Sequence, residues 1–531
     1  MGGILKGSDA FVQTLIDSGV EVCFGNPGTS EMHLVAALDR YPQLRGVLCL
    51  FEGVATGAAD GYGRMTGRPA ATLLHLGPGL SNGLANLHNA RRAGTPVLNV
   101  VGDHSMEHKV LDSPGDSDID AIAGSVSAWV CRPADTASLG RDVAEAVGAT
   151  MGVHSSAGCR TGTSGAVATV IVRADLTWAE GAVPADPVPA MPVQCGPTEC
   201  VGVVEKVLRS GEPVALLLDG DALTDRGLAA ADRIAQVTGA RMYCPTWPAH
   251  LRRGAGVPVV TPLSYRGEDV AVQLDGVRHL ILAGARPPVA TYGYPGKSGE
   301  LTPTGVQIHV LAEEFMSSAD GLLELAERLA SEVDPRFAAR ARPELPKGVL
   351  TRDNWAWVVG GLLPEGAIVC DESITAGLGT LSAAMAGAPP HDVLGLVGLA
   401  LGQGLPLAVG AAIACPDRSV ICLEGDGGAM YTPSALWTHA HEGLDITTVV
   451  LNNRSYAILR EELNRVAGRR GGRDSRRMLD LTQPELDFVA LSEGMGVPAS
   501  RARTAEELAE QFAAALTRPG PHLIEAVLTA D

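Results

Sequence analysis

Short runs of β-branched and aliphatic residues alternate along this chain with longer stretches in which small apolar residues recur at helical spacing, the pattern of parallel α/β units. Val20–Phe24, Ala71–Leu76 and Val97–Gly102 are predicted strands, and Ser8–Ser18 and Ser30–Tyr41 predicted helices with serine caps. The alternation runs to about Leu176. There Ala182-Val-Pro-Ala-Asp-Pro-Val-Pro-Ala-Met-Pro192 repeats proline too often for a helix or a central strand, and reads as an extended linker. A second alternating segment, with strands at Val214–Leu218, His279–Ala283 and Val306–Leu311, ends where prolines recur among charges, Pro335 to Lys347. The third opens with a helix near Asn354 and carries strands at Ala367–Cys370, Val420–Leu423 and Ile446–Leu451. Three sequential α/β domains, each a parallel sheet flanked by helices, are therefore expected over residues 1–180, 193–335 and 350–531.

The 531 residues give room for about three cores, and 46% apolar against 19% charged residues excludes a disordered or acidic scaffold. A net charge of −19 disfavours a broad grip on phosphate backbones, so no nucleic-acid partner is expected. The longest apolar run, around Leu405 to Cys415, is interrupted by Pro406 and Gly410 and falls short of the roughly 20 residues of a membrane span. No membrane association is expected. The amino terminus lacks a secretory pattern, which points to the cytoplasm. The ten cysteines are scattered, several inside apolar runs such as Glu21–Phe24 and Ile421–Leu423, and read as reduced core thiols. Cys195 and Cys200 lack the second pair that a tetrahedral metal site needs.

The chemistry concentrates in Glu424-Gly-Asp-Gly-Gly-Ala-Met-Tyr431, which follows a predicted strand, and in Asn452-Asn453, which ends the next one. Strand exits of an open parallel sheet line the ligand crevice, so Asp426 and Asn453 are expected to face it together. A carboxylate and an amide oxygen are hard ligands, suited to Mg²⁺ when a diphosphate supplies further oxygens. Gly425, Gly427 and Gly428 permit a tight turn and let backbone N–H groups approach phosphate. Gly-Asp-Gly alone is an ordinary surface turn. Followed at this distance by Asn-Asn, it resembles the fingerprint of thiamine-diphosphate enzymes, in which the aspartate, the second asparagine and a carbonyl two residues later hold magnesium: here Asp426, Asn453 and Ser455.

Such enzymes need a glutamate from another domain for the cofactor's aminopyrimidine ring. Phe51-Glu-Gly-Val-Ala-Thr-Gly-Ala-Ala-Asp-Gly-Tyr-Gly-Arg64 is similar to the pyrimidine-domain motif, with Glu52 in the catalytic place, and the small residues after it suggest a helix closely approached by a neighbour. Phe24-Gly-Asn-Pro-Gly-Thr-Ser-Glu31, Leu76-Gly-Pro-Gly-Leu-Ser-Asn-Gly83 and Thr95–Asp103 resemble the acetolactate synthase-like branch, which includes benzoylformate decarboxylase. The likeness spans the chain. It implies a pyrimidine-binding, a central and a diphosphate-binding domain, with cofactor contacts from Asn26, Pro27, Leu399, Thr375, Ala429, Tyr431 and Tyr456, and with Leu401 bending the cofactor.

The resemblance implies decarboxylation of a 2-oxo acid through an enamine, released as an aldehyde or coupled to a carbonyl acceptor. Thr29 stands where benzoylformate decarboxylase has a serine, and His75 matches its first-domain histidine, a group suited to proton delivery. His250 is a further pocket candidate from the central domain. Gly284-Ala-Arg-Pro-Pro288 lacks the Arg-Phe-Asp-Asp-Arg stretch of FAD-binding acetolactate synthases, which argues against a flavin. Leu459 replaces the catalytic glutamate of pyruvate decarboxylases, and Glu461 and Glu462 replace an aromatic pair of benzoylformate decarboxylase, so benzoylformate is not the expected substrate. The arginine-rich run 465–477 resembles the segment that closes over the cofactor. A homodimer or homotetramer with the cofactor between subunits is implied; a non-catalytic, regulatory cofactor-binding paralogue is the alternative.

Overall fold

Strand after strand in this chain is followed by a crossover that returns it to run in the same direction, so pairing is parallel almost throughout. The computed structural model describes residues 5–152, 165–189, 194–195, 198–312, 316–467 and 472–529. The first sheet has six strands: β1 (Val22–Asn26), β2 (Arg45–Leu48), β3 (Ala70–Leu74), β4 (Val97–Asp103), β5 (Trp129–Cys131) and β6 (Val167–Arg173), in the order β2-β1-β3-β4-β6-β5. The second has five, β7 (Val214–Leu218), β8 (Arg241–Cys244), β10 (Thr261–Pro262), β11 (His279–Ala283) and β12 (Gln307–Ala312), ordered β10-β8-β7-β11-β12. The third is built from β13 (Ile368–Glu372), β14 (His391–Gly395), β15 (Val420–Gly425), β16 (Ile446–Asn452), β17 (Ala499–Ala502) and β18 (His522–Val527), plus one strand from the middle of the chain, β9 (Leu251–Arg253). Its order is β9-β14-β13-β15-β16-β18-β17, and β9 runs antiparallel to β14.

The expected α/β class is what the structure shows, with local corrections. The predicted strand Ala71–Leu76 stops at Leu74, because His75 is an extended helix cap and Leu76 takes φ +53° as the first helical residue. Neither predicted serine cap operates: Ser8 is buried inside the first helix, and Ser30 lies within a short 3-10 turn, Thr29–Glu31, that Glu31 closes by accepting the Gly28 N–H at 2.7 Å. The sequence pattern also missed β9, a three-residue strand whose partner lies 140 residues on. Residues 183–189 and 335–347 are irregular as expected, while 190–193 lie outside the described residues, as do Cys159, the Cys195 side chain and residues 468–471 of the arginine-rich run. The eight other cysteines are free thiols.

Helix α1 (Glu52–Thr66) leaves the β2 exit, α2 (Leu76–Ala93) leaves β3, and α3 (Gly404–Ala414) belongs to the third sheet. Small residues let α1 and α3 touch at the backbone, which is the close approach expected of the Glu52 motif. A Cβ on Gly61 would lie 2.1 Å from the Leu407 carbonyl oxygen, and one on Gly410 1.9 Å from that of Ala58. Through this contact the first and third sheets share one core, in which Val54, Ala58, Leu405 and Ala411 are all buried.

Candidate active site

Glu52 is the first residue of α1, where unpaired helix N–H groups favour a carboxylate. It is 7% exposed and accepts the Asn82 side-chain N–H at 3.0 Å. No cationic side chain among the described residues pairs with it. Asn82 belongs to α2, and the neighbouring Asn86 of the same helix donates to the carbonyls of Gly53 (2.8 Å) and Gly402 (3.4 Å), tying the start of α1 to the loop before α3.

Beside this cluster, at the β1 and β3 exits, His75 Nδ1 meets Glu31 Oε2 at 2.9 Å and the Ser30 hydroxyl at 3.1 Å. Glu31 is fully buried and also accepts from Ser30 and Gly28, so its second oxygen is taken up locally and the imidazole is oriented. No described hydrogen bond uses His75 Nε2. A Cβ on Gly28 would come within 2.2 Å of the ring, so glycine is required there. Thr29 is exposed beside them, and Asn26 and Pro27 are half-buried at the end of β1.

On the third sheet, α4 (Asp426–Ala429) follows β15 directly. Asp426 is buried and accepts backbone N–H groups from Gly427 (2.8 Å), Arg454 (2.6 Å) and Ser455 (3.3 Å); burial raises its carboxyl to about 6 against those hydrogen bonds. Asn453 and Ser455 follow β16 and lie against it, with Asn453 Oδ1 accepting the Ser455 N–H at 3.0 Å. None of Gly425, Gly427 and Gly428 has a positive φ, so none makes a left-handed turn, and Gly427 and Gly428 serve packing. A Cβ on Gly427 would strike the Tyr456 ring at 2.3 Å, and one on Gly428 would approach Glu372 Oε1 at 2.9 Å. Ala429 is buried and Tyr431 exposed.

The loop before α3 carries Leu399, at φ +58°, and half-buried Leu401. Asn89 grips it at Ala400, Thr432 at Gly402, and Glu372 accepts the N–H groups of Gly402, Gln403 and Gly404 at 2.6–2.7 Å. Thr375 is buried one residue after Ile374, whose φ is +44°. Glu372 sits directly across from Glu424, and burial raises both carboxyls, with Glu372 adding to the rise at Glu424 and Asp371 to that at Glu372. The sequence reading missed Glu31, which stands inside a quoted motif, and Glu372, three residues before Thr375, because a carboxylate that braces backbone has no spacing signature.

His250 is a correction. Its Nε2 lies 2.8 Å from Asp392 Oδ1, near the amino end of β14, where Arg418 and Arg252 also pair with Asp392; His250 and Arg418 hold that carboxyl well below the usual range against its burial. Asp426 and Asn453 leave the opposite, carboxyl ends of the same sheet. His250 therefore belongs to an inter-segment ion-pair cluster, and no described contact joins it to His75.

Comparison with known proteins matches residues 5–122 to the thiamine pyrophosphate enzyme N-terminal TPP-binding domain and residues 379–526 to the C-terminal TPP-binding domain. A Mycobacterium tuberculosis protein provisionally named acetolactate synthase large subunit IlvX is 54% identical over 525 residues, covering 99% of both chains. Benzoylformate decarboxylase of Pseudomonas aeruginosa is 30% identical, covering 96% of each. The fold is shared with the thiamine diphosphate-dependent 4-hydroxybenzoylformate decarboxylase of Rhodococcus jostii, at a TM-score of 0.83 and 24% identity over 99% of this chain and 100% of that one.

Proposed function

The chain belongs to the thiamine pyrophosphate enzyme family, and from that premise we propose that it decarboxylates a 2-oxo acid with thiamine diphosphate and Mg²⁺, yielding an aldehyde or a product coupled to a carbonyl acceptor. What carries this reading is the presence of two strand-exit clusters, Glu52 with Asn82 on the first sheet and Asp426 with Asn453 and Ser455 on the third. The donor set fits the metal. Asp426 is a buried carboxylate with no cationic partner among the described residues, and with the Asn453 amide oxygen and the Ser455 carbonyl it offers the hard oxygens that magnesium takes.

Thiamine diphosphate bound here supplies the electron sink that lets carbon dioxide leave. Glu52 would exchange a proton with the aminopyrimidine ring nitrogen, its carboxyl steadied by Asn82. His75, anchored through Nδ1, keeps Nε2 for a substrate carboxylate or for delivering a proton to the product carbon. That oriented histidine favours aldehyde release. Glu52 and Asp426 lie at the exits of different sheets with no described contact between them, and Met106, Val110 and Leu111 are 56–80% exposed in the stretch before Gly115 and Ser117, which approach Leu76 and Gly77. These exposed apolar side chains support a second subunit on this part of the first sheet, with the cofactor between the two.

Calorimetric titration of thiamine diphosphate with and without Mg²⁺ tests the reading. Binding should require the metal, and Asp426→Ala should weaken it by about 10- to 100-fold or more. Wild-type binding indifferent to Mg²⁺ and to this substitution would overturn it.

A further inference from the structure

The helix that follows the candidate metal loop, α5 (Ala457–Ala467), turns one face toward the middle of the chain, and that face is charged where an ordinary packed helix would be apolar. Glu461 takes one guanidinium on each oxygen: Arg352 on Oε1 at 3.0 Å, from the segment leading into the third sheet, and Arg266 on Oε2 at 2.7 Å, from the region of the second. The next residue, Glu462, points about 100° further round the helix, where it accepts the Tyr294 hydroxyl, and that ring also lies under Arg465 (5.8 Å) and Lys297 (5.9 Å). Glu462, Arg465 and Tyr294 together wall a cavity of about 860 Å³ on the second-sheet side.

At its other end α5 is continuous with the site. The N–H of Ala457, its first residue, donates to the Ser455 carbonyl at 2.8 Å, and Arg460 donates to the Ser455 hydroxyl at 3.1 Å. Tyr456, between them, fills the space over Gly427. A helix is stiff over this length, about 9 Å from Tyr456 to Glu462, so whatever fixes Glu461 and Glu462 also fixes the pitch of the chain at Ser455.

We propose that Glu461 and Glu462 are positioning residues: by bridging α5 to Arg266, Arg352 and Tyr294 they hold the Ser455 carbonyl and the Tyr456 ring in register with Asp426. This rests on the reading of Asp426, Asn453 and Ser455 as the metal end of the site. The residues that replace an aromatic pair in the resembled family thus serve as an electrostatic strut rather than as substrate contacts.

The test uses the full-length protein and two readouts: release of thiamine diphosphate from the Mg²⁺-loaded form after dilution, and amide exchange of residues 457–467 in the cofactor-free form. Glu461→Gln should speed release by about two- to fivefold, the range of a partly exposed bridge, and should raise exchange in α5 with the melting temperature unchanged. The cofactor KM should rise while kcat at saturation holds. Added salt should speed wild-type release but not that of the variant, and Arg266→Gln combined with Glu461→Gln should be no worse than Glu461→Gln alone. Unchanged release and exchange, or strictly additive losses in the double variant, would overturn the strut. Wild-type protein with no Mg²⁺-dependent retention would instead remove the site reading, and the strut with it.

Discussion

Leu76, Ile374, Leu399 and Arg454 hold left-handed φ angles of +44° to +60°, a conformation that costs a side chain about 1–3 kcal/mol and persists only where the surroundings enforce it. Each borders a candidate site residue: Leu76 follows His75, Ile374 precedes Thr375, Leu399 stands two before Leu401, and Arg454 lies between Asn453 and Ser455. The strain at Arg454 has a visible return, since the same turn aims its N–H at Asp426 Oδ2. Arg454→Val, β-branched and unsuited to φ +60°, should therefore lower unfolding free energy by about 1–3 kcal/mol and weaken Mg²⁺-dependent cofactor binding. Arg454→Gly should keep both. Chemical denaturation and calorimetry of the two variants check this, and equal behaviour would mean that the backbone angle is immaterial.

Among elements, the crossing of α1 and α3 carries the proposed catalytic arrangement, because Glu52 begins one helix and the Leu399–Gly402 loop leads into the other. Gly410→Ala would set a Cβ 1.9 Å from the Ala58 oxygen, and only separation of the helices can relieve it. A loss of about 1–3 kcal/mol, read by denaturation, is expected, together with weaker cofactor binding as Glu52 moves. The same junction has a pH signature. His439, buried in the helix Ala435–His441, donates Nε2–H to the Leu405 carbonyl at 3.1 Å, and burial drops it to about 4. Its neutral form is favoured in the folded state, so its contribution is complete above the unfolded value near 6.5 and is lost as pH falls from there through 4. His439→Gln should flatten the pH dependence of stability between 6.5 and 4, measured as the difference from wild type; parallel curves would show the histidine charged or solvated in the fold.

At the scale of the molecule, Arg64 joins the first, middle and last stretches of the chain. Its side chain pairs with Asp60 in full burial and donates to the carbonyls of Ala249 and Gly395. Parts of this architecture were legible in sequence and parts were not, for physical reasons. Buried parallel strands such as Val214–Leu218 and His279–Ala283 stand out because both faces are apolar, and Asp426, Asn453 and Glu52 stand out because their motifs have fixed spacing. β9 has no such signal: Leu251–Arg253 becomes a strand only because the β14 edge is there to pair with it. His250 was misread for a related reason, since a lone histidine says nothing of its partner, and Asp392 lies 142 positions away. Glu31, Glu372 and the α5 contacts are likewise tertiary facts, invisible until the strand exits are brought together.

On the proposed reading, Glu52 and the Asp426 loop serve one decarboxylation. That reading is tested most directly by carbon dioxide release from a panel of 2-oxo acids, for wild type and Glu52→Gln, both saturated with thiamine diphosphate and Mg²⁺, with products followed by mass spectrometry. Wild type should release carbon dioxide from at least one acid, with aldehyde as the main product, and Glu52→Gln should lose about 100-fold or more of that rate without loss of cofactor binding. Turnover in Glu52→Gln equal to wild type, or cofactor-loaded wild type that consumes no acid in the panel, would contradict it.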